Sequence, residues 1–167
     1  VDISREKGIE IIEGELGTIP GSSQVHEGEA PVDEKQFTDP AQAAEFVEKT
    51  GVTSLAIVFG NAHGVYEGTE RLDLQRLQDI KKSVQSFIVL HGGSGIEPAD
   101  VKEAISRGIV KINVSTELRR AFTDTLRKVL ADNPKEVTPY KLFPEVVEAV
   151  RVTTREHIQL YGSSKKI

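Results

Sequence analysis

The stretch Phe87–Ile96, FIVLHGGSGI, decides how the rest of the chain is read. A run of apolar, β-branched-rich residues ends abruptly at His91, and a loop of glycines and one serine follows. Continuous rather than alternating apolar character marks a strand covered on both faces, as in a parallel sheet. Pro98 then opens a helical pattern, with Val101, Ala104 and Ile105 on one face and Gly108 after its end. The stretch is thus the turning point of one β-α unit. A histidine closing the strand and a loop nearly free of side chains suit a metal and a phosphate. A hydrogen-bonded core histidine before a tight turn would leave the same trace.

Working outward, three more apolar runs share this form: Ile9–Ile12, Leu55–Phe59 and Ile109–Val114. Helical patterns separate them. Asp39, Pro40 and Gly51 mark N-cap, first helical position and end of one helix. Leu74, Leu77 and Ile80 recur three apart in the next. Leu118, Phe122, Leu126 and Val129 line a fourth-unit helix, and a terminal helix is expected from about Phe143 to Tyr161. Four β-α units in succession mean an α/β fold. A closed (β/α)₈ barrel takes about 250 residues, so these 167 residues make either an open four-stranded sheet or half a barrel. We expect residues 1–167 to form a single domain segment. Thr18–Gln36 reads as a long polar connection, a length that usually carries function.

The bulk numbers remove several classes of function. A net charge of −5 argues against a nucleic-acid or anionic-membrane surface. The chain contains no cysteine, so a transition metal would need histidine and carboxylate ligands. No apolar run approaches the roughly 20 residues of a membrane span, and the N-terminus lacks signal-peptide features. The expected location is the cytoplasm. With no methionine anywhere, the chain reads as a processed or truncated product.

His63, in VFGNAHG, and His91 occupy equivalent places beyond successive strands, and each precedes a glycine. Sites in α/β folds form at the carboxyl ends of strands. The two imidazoles can therefore meet, and imidazole is the commonest zinc ligand. For the pair, metal binding stands level with two structural histidines. His26 and His157 read as surface residues. Consecutive backbone N–H groups in HGGSG, ahead of a helix N-terminus, favour phosphate. Asn113, Ser115 and Thr116 in KINVSTEL offer further donors, although Thr116 with Glu117 also fits a helix cap. Glu13 and Glu15 share one face of the first strand.

The combination of EGELGTI, FGNAHGVYEG, LDLQRLQDIKK, FIVLHGGSGI, GIVKINVSTELRRAFTDTLRKVL and REHIQLYGSSKKI resembles the zinc-dependent class II fructose-bisphosphate and tagatose-bisphosphate aldolases. The resemblance spans nearly the whole chain and implies the C-terminal half of a TIM barrel, four βα units plus a terminal helix. It implies that His63 and His91 are two of three Zn²⁺ ligands and that Glu15 lies near the metal. Gly64, Gly92 and Ser94 would hold the phosphate of dihydroxyacetone phosphate, with Ser115 and Thr116 completing that cradle. Asn113 would orient the reacting end of the substrate. The implied reaction is zinc-dependent aldol cleavage or condensation of a ketose (bis)phosphate, giving dihydroxyacetone phosphate and an aldehyde. A monovalent cation (Na⁺ or K⁺) near the phosphate loops is also implied.

Three departures accompany the resemblance. The third zinc histidine and the aspartate proton donor belong to the family's N-terminal half and are absent here. Ser23 stands at the place of the family's mobile-loop glutamate, with Glu27 and Glu29 as possible replacements. Tyr140 stands where an arginine often meets the distal phosphate, with Lys141 beside it. We therefore expect a partner, either an N-terminal half or a second chain, and a homo-oligomer, dimer or tetramer. The alternative is a non-catalytic phosphate-binding half-barrel module that assembles with another chain.

Overall fold

The structure is a computed structural model; it describes residues 1–68 and 71–164. It divides into two compact units, Val1–Asn113 and the segment from Val114 onward.

The first unit contains a short helix α1 (Asp2–Glu6) and strands β1 (Glu13–Leu16), β2 (Gly21–Val25), β3 (Ser54–Ile57), β4 (His63–Val65), β5 (Phe87–Leu90) and β6 (Ile109–Ile112). Helices α2 (Pro40–Thr50), α3 (Leu74–Ser83) and α4 (Pro98–Ser106) join successive main strands. The main sheet is wholly parallel, in the order β1-β3-β5-β6. This strand–helix alternation is the repeating unit of a (β/α)₈ barrel, and four parallel strands are half of one. Among the described residues β1 and β6 are its edges.

The helix boundaries follow the sequence signals. The Asp39 carboxylate accepts hydrogen bonds from the Ala41 and Gln42 amides at 2.9 and 3.0 Å, capping α2. Gly51 then takes the left-handed conformation, φ 68°, that ends the helix. Asp73 caps α3 through the Arg76 amide at 2.9 Å. Leu77 and Ile80 of α3 and Val101 and Ala104 of α4 are fully buried or nearly so, as are Leu55, Ile57, Ile88 and Leu90 of the sheet. Asp100, buried in the first turn of α4, accepts from the Leu72 amide at 3.0 Å and pairs with Arg71 at 3.0 Å.

Two elements differ from the sequence expectation. The first strand is Glu13–Leu16, not Ile9–Ile12, and Ile9 and Ile11 are exposed. The ladder with β3 starts at Glu13 opposite Ser54 and continues Gly14–Leu55, Glu15–Ala56 and Leu16–Ile57. Gly14 turns towards α2: a Cβ there would lie 2.9 Å from the Phe46 ring. Glu13 and Glu15 therefore face the opposite side. An edge strand with one covered face does not need a continuous apolar run. The second difference lies in Thr18–Gln36. This segment contains β2, which pairs in parallel with β4, and a 3₁₀ turn at Glu34–Gln36. All residues of β2 are exposed.

The second unit is a pair of helices, α5 (Thr116–Asp132) and α6 (Pro139–Leu160), with Val129, Leu142 and Val146 as its core. The terminal helix begins at Pro139, one turn earlier than the sequence suggested, and accommodates Pro144 in its second turn. Ser115 occupies the N-cap position of α5, yet no side chain caps this helix end. The Thr116–Glu117 capping reading fails because Glu117 turns instead to α6, where its Oε2 accepts from His157 Nε2 at 2.6 Å. His157 also donates to the Thr153 carbonyl through Nδ1, at 2.8 Å, so it is an interhelical tie and not a surface residue. No helix among the described residues is long and apolar enough to cross a membrane.

The His157 pair carries a pH signature. The hydrogen bond to Glu117 raises the imidazole pKa above its ordinary 6.5, with the Thr153 carbonyl and the charge of Glu156 adding to it against burial. A raised pKa in the folded state stabilises it fully below about pH 6.5, and that contribution is lost as pH rises through the folded value. The urea midpoint of this unit is thus expected to fall between about pH 6 and pH 9, and Glu117→Gln should flatten the dependence. Equal slopes in wild type and variant would contradict this assignment.

Candidate functional site

His91 directly follows β5, and His63 is the first residue of β4, six residues after β3. Asn61, fully buried two residues before His63, ties their segments. Its Nδ2 donates to the His91 carbonyl at 3.0 Å and to the Ile57 carbonyl at 3.3 Å, and its Oδ1 accepts from the Phe59 amide at 2.9 Å. One side chain thus fixes the turn after β3 to the residue that ends β5. Gly92 completes the contact. Its φ is 65°, and a Cβ there would sit 2.1 Å from the Ala62 carbonyl oxygen and 3.5 Å from Cδ2 of His63. The two strand ends touch through backbone, which only glycine permits. His63 therefore lies beside the Gly92 backbone, one residue from His91.

His91 meets a carboxylate at each ring nitrogen. Nδ1 lies 2.6 Å from Glu15 Oε2 and Nε2 lies 2.9 Å from Glu13 Oε1. Lys111 Nζ donates to the other Glu13 oxygen at 2.7 Å. Burial pushes the Glu13 carboxyl up, but the hydrogen bonds from Lys111 and His91 outweigh it and hold the group below the usual carboxylate range. The donor types suit a divalent metal of the zinc type: two imidazoles, with carboxylates that either ligate or hold a ring in place. Among the described residues, however, no three His, Asp or Glu side chains converge in a metal-holding geometry. For His91 to face a metal, one of its two carboxylate contacts must be exchanged.

The predicted phosphate loop is placed at the same end of the sheet. Ser94 is buried. The Gly93 N–H is not free, as the sequence reading had it, because it donates to the Asn113 carbonyl at 3.0 Å. Asn113 in turn donates its own N–H to Leu90 at 2.9 Å, so it extends the β5–β6 ladder beside His91. Ser115 and Thr116 belong to the second unit, at the start of α5.

Gly64 has a packing reason of its own. Its φ is 126°, and a Cβ would meet the Ser22 and Gln24 carbonyls and the His26 ring within 2.8 Å. The β2 segment is thereby drawn against the His63 strand, and the His63 amide donates to the Pro20 carbonyl at 2.7 Å. His26, expected at the surface, is half-buried there. It stacks on Tyr66 with ring centroids 4.6 Å apart and donates from Nε2 to the Ser22 carbonyl at 2.9 Å. Glu27 and Glu29 are exposed. Lys141, in the second unit, has its charge paired with Glu136 at 2.9 Å.

Sequence reading missed Asn61 and Lys111. Asn61 lies inside the quoted VFGNAHG, and a buried Asn among apolar residues is a signal in itself, since it must satisfy its amide. Lys111 gave no such signal.

Comparison with known proteins identifies the family. Residues 1–166 match the family described as fructose-bisphosphate aldolase class-II. A sulfofructosephosphate aldolase from Alkalicoccus urumqiensis is 41% identical over 156 residues, covering 92% of this chain and 53% of that protein. The solved YdjI aldolase of Escherichia coli K12 superposes with a TM-score of 0.77 at 39% identity, over 99% of this chain and 54% of its own. A putative fructose-1,6-bisphosphate aldolase from Coccidioides immitis gives 0.75 at 28% identity, over 99% and 57%. The chain spans about half the length of the relatives it matches. The chain belongs to the class II fructose-bisphosphate aldolase family.

Proposed function

We propose that this chain supplies the C-terminal half of a metal-dependent aldolase that cleaves or forms a ketose (bis)phosphate, with dihydroxyacetone phosphate as one product. The observation that supports the reading is the close approach of the His63 ring to the backbone of Gly92, the residue after His91. In this reading His63 and His91 hold Zn²⁺ and a third ligand comes from the N-terminal half of the barrel or from a second chain.

Bound at these histidines, the metal supplies Lewis-acid polarisation of the substrate ketone. The remaining work falls to the protein. Gly64, Gly92 and Ser94 anchor the phosphate. A fixed phosphate holds the carbon that loses its proton at a set distance from the histidines, which converts an encounter into a positioned reaction. Asn113 orients the reacting end, and Glu15 lies on the His91 side. A monovalent cation beside the phosphate loops belongs to the same proposal.

The test is an assay of the intact protein for dihydroxyacetone phosphate release. Fructose bisphosphate, tagatose bisphosphate and sulfofructose phosphate are offered in turn. Cleavage of one of them, abolished by a chelator and restored by zinc, is expected. Cleavage that survives complete metal removal would refute the metal-dependent reading. Phosphate binding without cleavage of any of the three would favour the non-catalytic module.

A further inference from the structure

The contact between Lys111 and Glu13 joins the two edges of the main sheet, and a backbone irregularity creates it. Between β5 and β6 the register runs Ile88–Ile109, then Val89–Lys111 and Leu90–Ile112, so Val110 is an extra residue. Without that bulge Val110 would stand opposite Val89, and Lys111 opposite Leu90, on the face covered by helices. A one-residue slip moves a side chain to the other face of a sheet. The bulge thus turns Lys111 onto the face that carries Glu13, Glu15 and His91. Bulges that re-aim a side chain occur beside functional sites.

The two carboxylates on this face are held differently. Both oxygens of Glu13 are engaged, Oε1 by His91 Nε2 at 2.9 Å and Oε2 by Lys111 at 2.7 Å. Glu15 is engaged through Oε2 by His91 Nδ1, and among the described residues no cation other than this imidazole pairs with it. Glu15 is also the more exposed of the two, 39% against 27% for its side chain. Two clamped oxygens fix a carboxylate; one contact leaves it free to swing.

We propose that Lys111 and Glu13 form a positioning pair for His91. Lys111 clamps Glu13, Glu13 orients the imidazole through Nε2, and Glu15 is the carboxylate that gives up its contact so that Nδ1 can face a metal. The inference rests on the metal reading of His63 and His91. It assigns the two glutamates of EGEL distinct tasks and gives the bulge at Val110 its purpose.

Zinc affinity by chelator competition, together with the visible absorption of the Co²⁺-substituted form, tests this in the intact protein. Lys111→Gln and Glu13→Gln are each expected to weaken zinc binding by about 10- to 100-fold, the usual effect of losing a group that orients a metal ligand. Both should change the Co²⁺ spectrum. Lys111→Arg, which keeps the cation, should restore both readouts. Because the two residues act in series, the double variant should bind no more weakly than the worse single one. Lys111→Gln binding zinc within about twofold of wild type, or losses that multiply in the double variant, would overturn the proposal. A His63→Ala variant that binds zinc as tightly as wild type would instead overturn the metal reading on which it stands.

Discussion

Replacing His91 with alanine in the intact protein is expected to lower aldol-cleavage turnover by about three powers of ten or more, and His63→Ala by a similar factor. A metal acting as Lewis acid contributes several kcal/mol to the barrier, and about 1.4 kcal/mol corresponds to a factor of ten. Each substitution removes one imidazole from the metal. His91→Ala does further damage: it leaves Glu13 and Glu15 without the ring that lies between them at 2.9 and 2.6 Å. Glu13 keeps Lys111, but Glu15 loses its imidazole partner beside that carboxylate. His63 has no such carboxylate contact among the described residues, so its loss should be confined to metal binding. The measurement is steady-state turnover beside zinc content. Retained metal with lost turnover in both variants would mean that these histidines act on the substrate and not on the metal.

Gly92→Ala is expected to destabilise the protein by about 2–3 kcal/mol, a magnitude typical of backbone strain with enforced displacement. The added Cβ would lie 2.1 Å from the Ala62 carbonyl oxygen and 2.8 Å from its carbon. Neither atom is the end of a flexible side chain. Relief requires the segment from Phe59 to His63 to retreat from the end of β5. That movement separates His63 from His91 and stretches the bond from Asn61 Nδ2 to the His91 carbonyl. Zinc affinity should therefore fall together with the melting temperature. Gly162→Ala, where nothing lies within 4 Å of the new Cβ, serves as a control for φ strain alone. A Gly92→Ala protein as stable as wild type, with unchanged zinc affinity, would show that the strand ends do not need this approach.

What the sequence revealed depended on whether a feature is set by local pattern. The helix α2 was legible because Asp39, Pro40 and Gly51 act within a few residues of themselves. Strands β3 and β5 were legible because burial on both faces demands an unbroken apolar run. His91 was legible as the residue after β5, whereas His63 opens β4, a strand the sequence did not announce. β1 escaped because an edge strand with two glutamates on one face lacks that run, and the apolar Ile9–Ile12 beside it drew the assignment. β2 escaped for a different reason: GSSQV is held through the backbone of β4, and its exposed side chains record nothing of it. Lys111 could not be placed, because the face it occupies depends on a single extra residue at Val110. Such a bulge alters register without altering composition. Nor could periodicity show that Gly93 spends its N–H on Asn113.

The account stands on one claim: a single metal ion held by His63 and His91. Anomalous diffraction at the zinc edge, from crystals of the intact protein grown with zinc, addresses it directly. A peak within bonding distance of a ring nitrogen of each histidine, with the third ligand coming from outside residues 1–167, is the predicted result. A zinc-saturated protein with no peak between those two rings would contradict it.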